Sequence, residues 1–185
     1  MWSHLRLSWA LYFLCSMSNT VELIQVEYGP QLDDIRELFL EYARSLDFDL
    51  CFQNFDKELR ELPGEYAPPE GRLILCRVQE AVAGCIALKP LGNGICEMKR
   101  LFVRPQFRGK GLGLTLGRRI VDEARHIGYK AMRLDTIAGK MEPAIALYRS
   151  LGFHEIPPYY DNPIPNAAYF ELDLRPGQVL PEKPV

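Results

Sequence analysis

The stretch from Glu97 to Glu123 constrains this chain more than any other, because it hands a strand over to a helix through Arg108-Gly109-Lys110-Gly111-Leu112-Gly113. Upstream, the apolar run Met98 to Val103 reads as a strand that stops at Pro105. Downstream, Leu112, Leu116, Ile120, Val121, Ala124 and Ile127 recur at helical spacing until Gly128 ends the run. Three glycines and two cations therefore stand at the joint. There the first helical N–H groups lack intrahelical partners and the helix dipole is positive. Glycine also lets the backbone approach a ligand closely, so the joint suits a phosphate. The competing reading is a glycine-rich turn with no ligand.

Two familiar phosphate loops are excluded by spacing. A dinucleotide fingerprint needs G-x-G-x-x-G, and Gly109-Lys110-Gly111-Leu112-Gly113-Leu114 misplaces the third glycine. A Walker loop needs Ser or Thr after its lysine, and Gly111 follows Lys110.

The rest of the chain divides into an extension over residues 1–20, one domain over 21–174 and an extended, proline-bearing tail over 175–185. A chain of 185 residues suits one domain with a real core. Residues 1–20 carry no acid, and Leu7 to Met17 is mostly apolar but too short to span a bilayer. A secretory signal, an organelle presequence and an appended or misassigned start all fit; Met17-Ser18-Asn19 would serve as a native start, which favours the last. Cys15, Cys51, Cys76, Cys85 and Cys96 show no C-x-x-C pair and fall mostly in apolar runs. They read as reduced, buried thiols, which argues against export and for a cytoplasmic protein. A net charge of −2 gives no reason to expect nucleic acid, and three scattered histidines offer no metal-ligand spacing.

Taken in order, Val21 to Tyr28 alternates as a strand. Ile35, Leu38, Phe39, Tyr42 and Leu46 define an amphipathic helix, followed by a short helix from Asn54 to Leu62. Arg72 to Val78 and Ala81 to Leu91 are strands joined at Gln79-Glu80, and Gly92-Asn93-Gly94 turns into the strand Ile95 to Val103. Beyond the central helix come a strand from Lys130 to Ile137 and a helix opened by Pro143 and closed by Gly152. Short strands from Phe153 to Ile156 and Ala168 to Leu174 flank the stiff aromatic loop Pro157 to Pro165.

The glycine joint resembles the [RQ]-x-x-G-x-[GA] motif of the GNAT acetyltransferase superfamily, read at Arg108, Gly111 and Gly113. A second segment, Ala144-Ile145-Ala146-Leu147-Tyr148-Arg149-Ser150-Leu151-Gly152-Phe153, resembles that family's A-x-x-L-Y-x-x-x-G-F element. The likeness covers residues 21–174. It implies an α/β (α+β) fold, a mixed and mostly antiparallel sheet of about seven strands flanked by about four helices. Their order would be β-α-α-β-β-β-α-β-α-β-β. It also implies an acetyl-CoA-dependent N-acetyltransferase that acylates a primary amine of a small molecule or peptide by direct attack. The alternative is a non-catalytic acyl-CoA-binding sensor or interaction module of the same fold. No metal, nucleic acid or membrane partner is expected, and the chain would work as a monomer or homodimer.

The chemistry sets two demands. A lysine-like amine with a pKa of ~10.4 costs about 4–5 kcal/mol to deprotonate at pH 7. The leaving thiolate, with a pKa near that of Cys (~8.5), benefits from a hydroxyl donor. The resemblance implies Tyr148 as that acid, against a core aromatic. It implies Glu97 as the base, against a carboxylate paired with Lys99 or Arg100. It further implies that backbone groups of Leu101, Phe102 and Val103 hold pantetheine. Arg108, Gly109, Lys110, Gly111, Leu112 and Gly113 would hold the pyrophosphate. Met141 stands where many relatives carry an Asn that contacts the cofactor. Acceptor pockets in the superfamily use the first two helices and the loop between the last strands. Here those are Phe48 to Phe52, the Tyr66 loop and Pro157 to Pro165. Tyr159, Tyr160 and Asp161 would bind an amine there or serve as rigid packing.

Overall fold

The computed structural model describes residues 20–46 and 54–176. The expected extension before residue 20, the stretch Phe48 to Phe52 and the tail beyond residue 176 lie outside them. The described elements are β1 (Val21–Gln25), α1 (Gln31–Arg44), α2 (Phe55–Glu61), β2 (Arg72–Val78), β3 (Ala81–Gly92) and β4 (Ile95–Val103). They continue with α3 (Leu112–Ile127), β5 (Ala131–Ile137), α4 (Glu142–Ser150), β6 (His154–Ile156) and β7 (Ala167–Asp173). This is the order expected, with two added 3₁₀ turns at Gly64–Tyr66 and Pro105–Phe107.

Seven strands form one open sheet in the order β1-β2-β3-β4-β5-β7-β6, antiparallel throughout except between β4 and β5. Its inner strands are apolar on both faces because helices cover both. In β2, Leu73 and Leu75 pack with Ile35, Leu38 and Phe39 of α1, while Ile74 and Cys76 pack with Leu116 and Ile120 of α3. The two-residue period of a strand sends neighbours to opposite faces, so a continuous apolar run feeds two cores at once. Each fully buried side chain of this size contributes about 1.5–3 kcal/mol.

Local chemistry sets the ends. Gly128, at φ 98°, caps α3 in the left-handed region that glycine enters without penalty. β1 is shorter than the alternation predicts: pairing stops at Gln25↔Ile74, Tyr28 is 82% exposed, and Gly29 turns the chain at φ 84°. Val26 is still buried and donates its amide to the Leu73 carbonyl at 2.8 Å; past it the alternation has no core left to use. α3 also runs close to α4, because a Cβ on Gly117 would stand 2.7 Å from Leu151 Cδ1 and one on Gly113 3.0 Å from Leu147 Cδ1.

Two departures from regular pairing shape the centre. β4 and β5 pair only through Ile95↔Ala131, Cys96↔Met132 and Glu97↔Arg133, although both strands continue past that point. Between β3 and β4 the register slips by one residue, with Lys99 opposite Ala87 and Phe102 opposite Cys85. The extra residue belongs to β4, where Arg100 sits at φ 56°, a β-bulge. Its effect is a change of phase. Cys96 and Met98, then Leu101 and Val103, face the α3/α4 core, whereas Phe102 joins the α1/α2 core. Glu97, Lys99 and Arg100 line one cavity beside α2. Regular alternation would have placed Arg100 opposite Glu97.

Candidate active site

Where β4 and β5 part, three cavities follow one another. The first, about 330 Å³, is a cleft beside Leu101, Phe102, Val103, Arg108 and Met141. It shares Tyr42, Leu101 and Met141 with a second space of only about 40 Å³, into which Tyr148 and Asp135 also reach. That space shares Lys99 and Arg100 with the third, of about 670 Å³, which contains Glu97, Tyr66, Tyr159 and Tyr160. A long ligand entering by the cleft would reach the middle space end-on, and a second ligand would meet it there from the large cavity.

The glycine joint begins at Arg108, which lines the cleft. Gly109 and Gly111 lie at φ 74° and 77°, and a Cβ at either would meet nothing within 4 Å. These two glycines are required by backbone conformation, and the space around them is open. Gly113 is different: its missing side chain admits Leu147, while its amide lies in the first turn of α3. That turn has no side-chain cap and no acidic residue, so its dipole and N–H groups are unopposed. The Arg108 side chain donates from Nε to the Val103 carbonyl at 2.9 Å, and its guanidinium lies 5.9 Å from the Phe102 ring centre. Lys110 lies over Phe107 at 5.5 Å. Both cations are thus folded back against the loop that carries them.

Tyr148 is 7% exposed and packs edge-on against Phe153, so it is a core aromatic as well as a lining residue. Its hydroxyl makes no hydrogen bond among the described residues. Burial pushes its pKa up, with the Tyr42 and Asp135 charges adding to that. A hydroxyl so placed stays protonated and has a donor to give. Met141 lies at the start of α4, where its Sδ accepts from Thr136 Oγ1 at 3.4 Å.

Glu97 is 4% exposed. Its Oε1 accepts from the Tyr159 hydroxyl at 2.7 Å, and its Oε2 lies 3.9 Å from both Lys89 Nζ and Lys99 Nζ. Of the two pairings open to it from sequence, Lys99 is realised and Arg100 is not. Arg100 instead forks onto Glu58 of α2, with Nε to Oε1 at 2.8 Å, and the Tyr66 hydroxyl donates to the same oxygen at 2.7 Å. Burial would raise the Glu58 carboxyl, but the Arg100 hydrogen bonds and charge outweigh it and hold it below the usual range. Lys99 also reaches Asp135 Oδ1 at 3.2 Å, bridging β4 and β5 beyond their last backbone pair.

The aromatic loop after β6 is built into the site. Tyr159, Tyr160 and Tyr169 form an edge-to-face triangle with centroids 5.3–5.5 Å apart. Asp161 also lines the large cavity. Tyr66, Tyr159 and Tyr160 therefore border the space expected for an acceptor. Sequence reasoning missed Glu58, Asp135 and Lys89, which become neighbours only through tertiary contact. Cys76, Cys85 and Cys96 are buried and unpaired, and burial pushes the Cys76 thiol up to about 11. Among the described residues no group of acids, histidines and cysteines is placed to hold a metal ion. No described helix is long and apolar enough to cross a membrane.

The site thus lies in a mixed sheet that parts between two parallel strands, with a buried carboxylate at the last backbone pair and an uncapped glycine turn beyond the end of β4. Residues 32–153 match the model of the acetyltransferase (GNAT) family. The chain is 41% identical over 158 residues to an uncharacterised N-acetyltransferase of Schizosaccharomyces pombe, covering 84% of this chain and 96% of that one. The fold is similar to a GNAT-family acetyltransferase from Staphylococcus aureus, with a TM-score of 0.68 at 20% identity over 84% of this chain and all of that one. It is also similar to a Salmonella typhimurium protein solved as a putative acetyltransferase with acetyl-CoA, with a TM-score of 0.61 at 20% identity over 88% and 99% of the two chains. The chain belongs to the GNAT acetyltransferase family and is an acyltransferase.

Proposed function

We propose that this protein moves the acetyl group of acetyl-CoA to a primary amine of a small molecule or peptide by direct attack. The observation that carries the reading is the line of three cavities, which runs from Arg108, the residue before the glycine turn, past Tyr148 to Glu97. The pyrophosphate rests on the amides of Gly109 to Gly113, and pantetheine runs along Leu101 to Val103. Each charge-assisted hydrogen bond there contributes ~1.5–3 kcal/mol. The thioester reaches the middle space, and the amine enters through the large cavity.

The step balances as follows. The ammonium gives a proton to Glu97, directly or through water, and the neutral nitrogen attacks the acyl carbon. An N–C bond forms, the C–S bond breaks, and sulfur leaves with the electron pair. The Tyr148 hydroxyl donates to that sulfur. Because burial raises the Tyr148 pKa, full proton transfer to a thiolate is uphill, and the hydrogen bond itself is its first contribution. The net products are an acetamide, CoA thiol and one proton. Buried unpaired cysteines support a reducing, cytoplasmic setting.

Thiol release from acetyl-CoA across a panel of amines tests the reading, with turnover on at least one amine expected. Tight CoA binding without turnover on any amine would overturn it.

A further inference from the structure

The large cavity has a charge pattern that deepens this reading to an acceptor class. Five cationic and five acidic side chains line it, so it favours neither a plain amine nor a plain anion. The pattern sharpens with depth. Arg100 and Glu58 satisfy one another in a fork, and neither is left for a ligand. What remains on the floor is one carboxylate, Glu97, flanked by two ammonium groups. Among the described residues Lys89 makes one hydrogen bond, to Glu65 at 3.3 Å, and Lys99 makes one, to Asp135 at 3.2 Å. An ammonium has three donors, so each lysine keeps capacity beyond that bond. At 3.9 Å neither is hydrogen-bonded to Glu97.

We infer that the acceptor is a free α-amino acid, its ammonium at Glu97 and its carboxylate at Lys89 and Lys99. This rests on the acetyltransferase reading above. In an α-amino acid the amine nitrogen and carboxyl carbon are about 2.5 Å apart by bond geometry, so its two charges sit side by side, as Glu97 and the lysines do at 3.9 Å. A peptide amine lacks that neighbouring carboxylate and would leave the remaining donor capacity of both lysines unused. Tyr159, held to Glu97 and covered by Arg133 at 5.2 Å, fixes the carboxylate against which the ammonium is placed.

The test is thiol release with each L-α-amino acid, its amide, its decarboxylated amine and a short peptide ending in the same residue. The acids are expected to exceed their amides in kcat/KM by about 10- to 100-fold, the range for a lost charge-assisted hydrogen bond. In Lys89→Met/Lys99→Met that preference should fall toward one through the KM of the acids, with the KM for acetyl-CoA unchanged. If that variant does not fold, Lys89→Met alone, at the more exposed lysine, should reduce the preference in the same direction. Equal turnover of acids and amides, or a preference for peptides, would overturn the acceptor class and leave the acetyltransferase standing. Absence of thiol release with every compound would overturn the acetyltransferase reading itself.

Discussion

Replacing Tyr148 by Phe removes one oxygen from the middle cavity and leaves the ring in place. The ring is what packs: it meets Phe153 at 6.1 Å and Phe170 at 6.5 Å between centroids. Since the hydroxyl has no hydrogen-bond partner among the described residues, no buried group is orphaned, and stability should change by less than about 0.5 kcal/mol. The rate is another matter. If the hydroxyl only donates a hydrogen bond to the anionic sulfur, its loss costs ~1.5–3 kcal/mol, or about 10- to 100-fold in kcat. If it also completes proton transfer, the loss reaches roughly 10²–10⁴. Single-turnover thiol release reads this directly, and calorimetric titration with acetyl-CoA should give wild-type affinity. The effect belongs in kcat because the sulfur carries charge only as the C–S bond breaks. Burial holds the tyrosine protonated, so no tyrosine ionisation should appear in the kcat profile between pH 6 and 9. An unchanged chemical step would reduce Tyr148 to a packing residue. Lost cofactor affinity with a normal step would make the hydroxyl a binding group.

Three further outcomes are expected. Gly111→Glu should abolish acetyl-CoA binding by placing a carboxylate at the pyrophosphate. Gly111→Ala bears the same left-handed strain, about 1–2 kcal/mol at φ 77°, without the charge and should bind better; titration of both separates strain from repulsion, and wild-type affinity in the Glu variant would remove the cradle. Gly117→Ala should destabilise the fold by about 1–3 kcal/mol in denaturant titration, because its methyl meets Leu151 at 2.7 Å; unchanged stability would show that α4 yields freely. Glu58→Gln should cost roughly 3–5 kcal/mol by removing the carboxylate charge that forks the 5%-exposed Arg100. Glu58 titrates lower in the folded chain, so its contribution is present above its unfolded pKa and lost as pH falls through the folded one. The wild type should therefore lose stability on acidification where the variant changes less.

What could be read from sequence and what could not divide along a physical line. Helix spacing located α1 and α3 because their buried residues lie on single faces, and glycines marked the ends of α3 through conformation alone. The strands of the centre were legible because both their faces are buried. The glycine turn and Tyr148 sit in contiguous motifs, so their place followed from local structure. The Glu97–Tyr159 bond joins residues 62 apart, and the Arg100–Glu58 fork joins residues 42 apart. Neither obeys a periodicity, and the bulge at Arg100 that makes the second possible is a backbone event with no glycine to announce it.

The short seam between β4 and β5 also has a thermal meaning. Three residue pairs join a leaf of four strands to a leaf of three, with α3 as the covalent strap over the joint. Pairing ends at Glu97 and Arg133, so the seam is the least paired joint between inner strands of the sheet. On the reading proposed above, an acyl carrier lodged there would work as mortar between the leaves and quiet fluctuations in strands it does not touch.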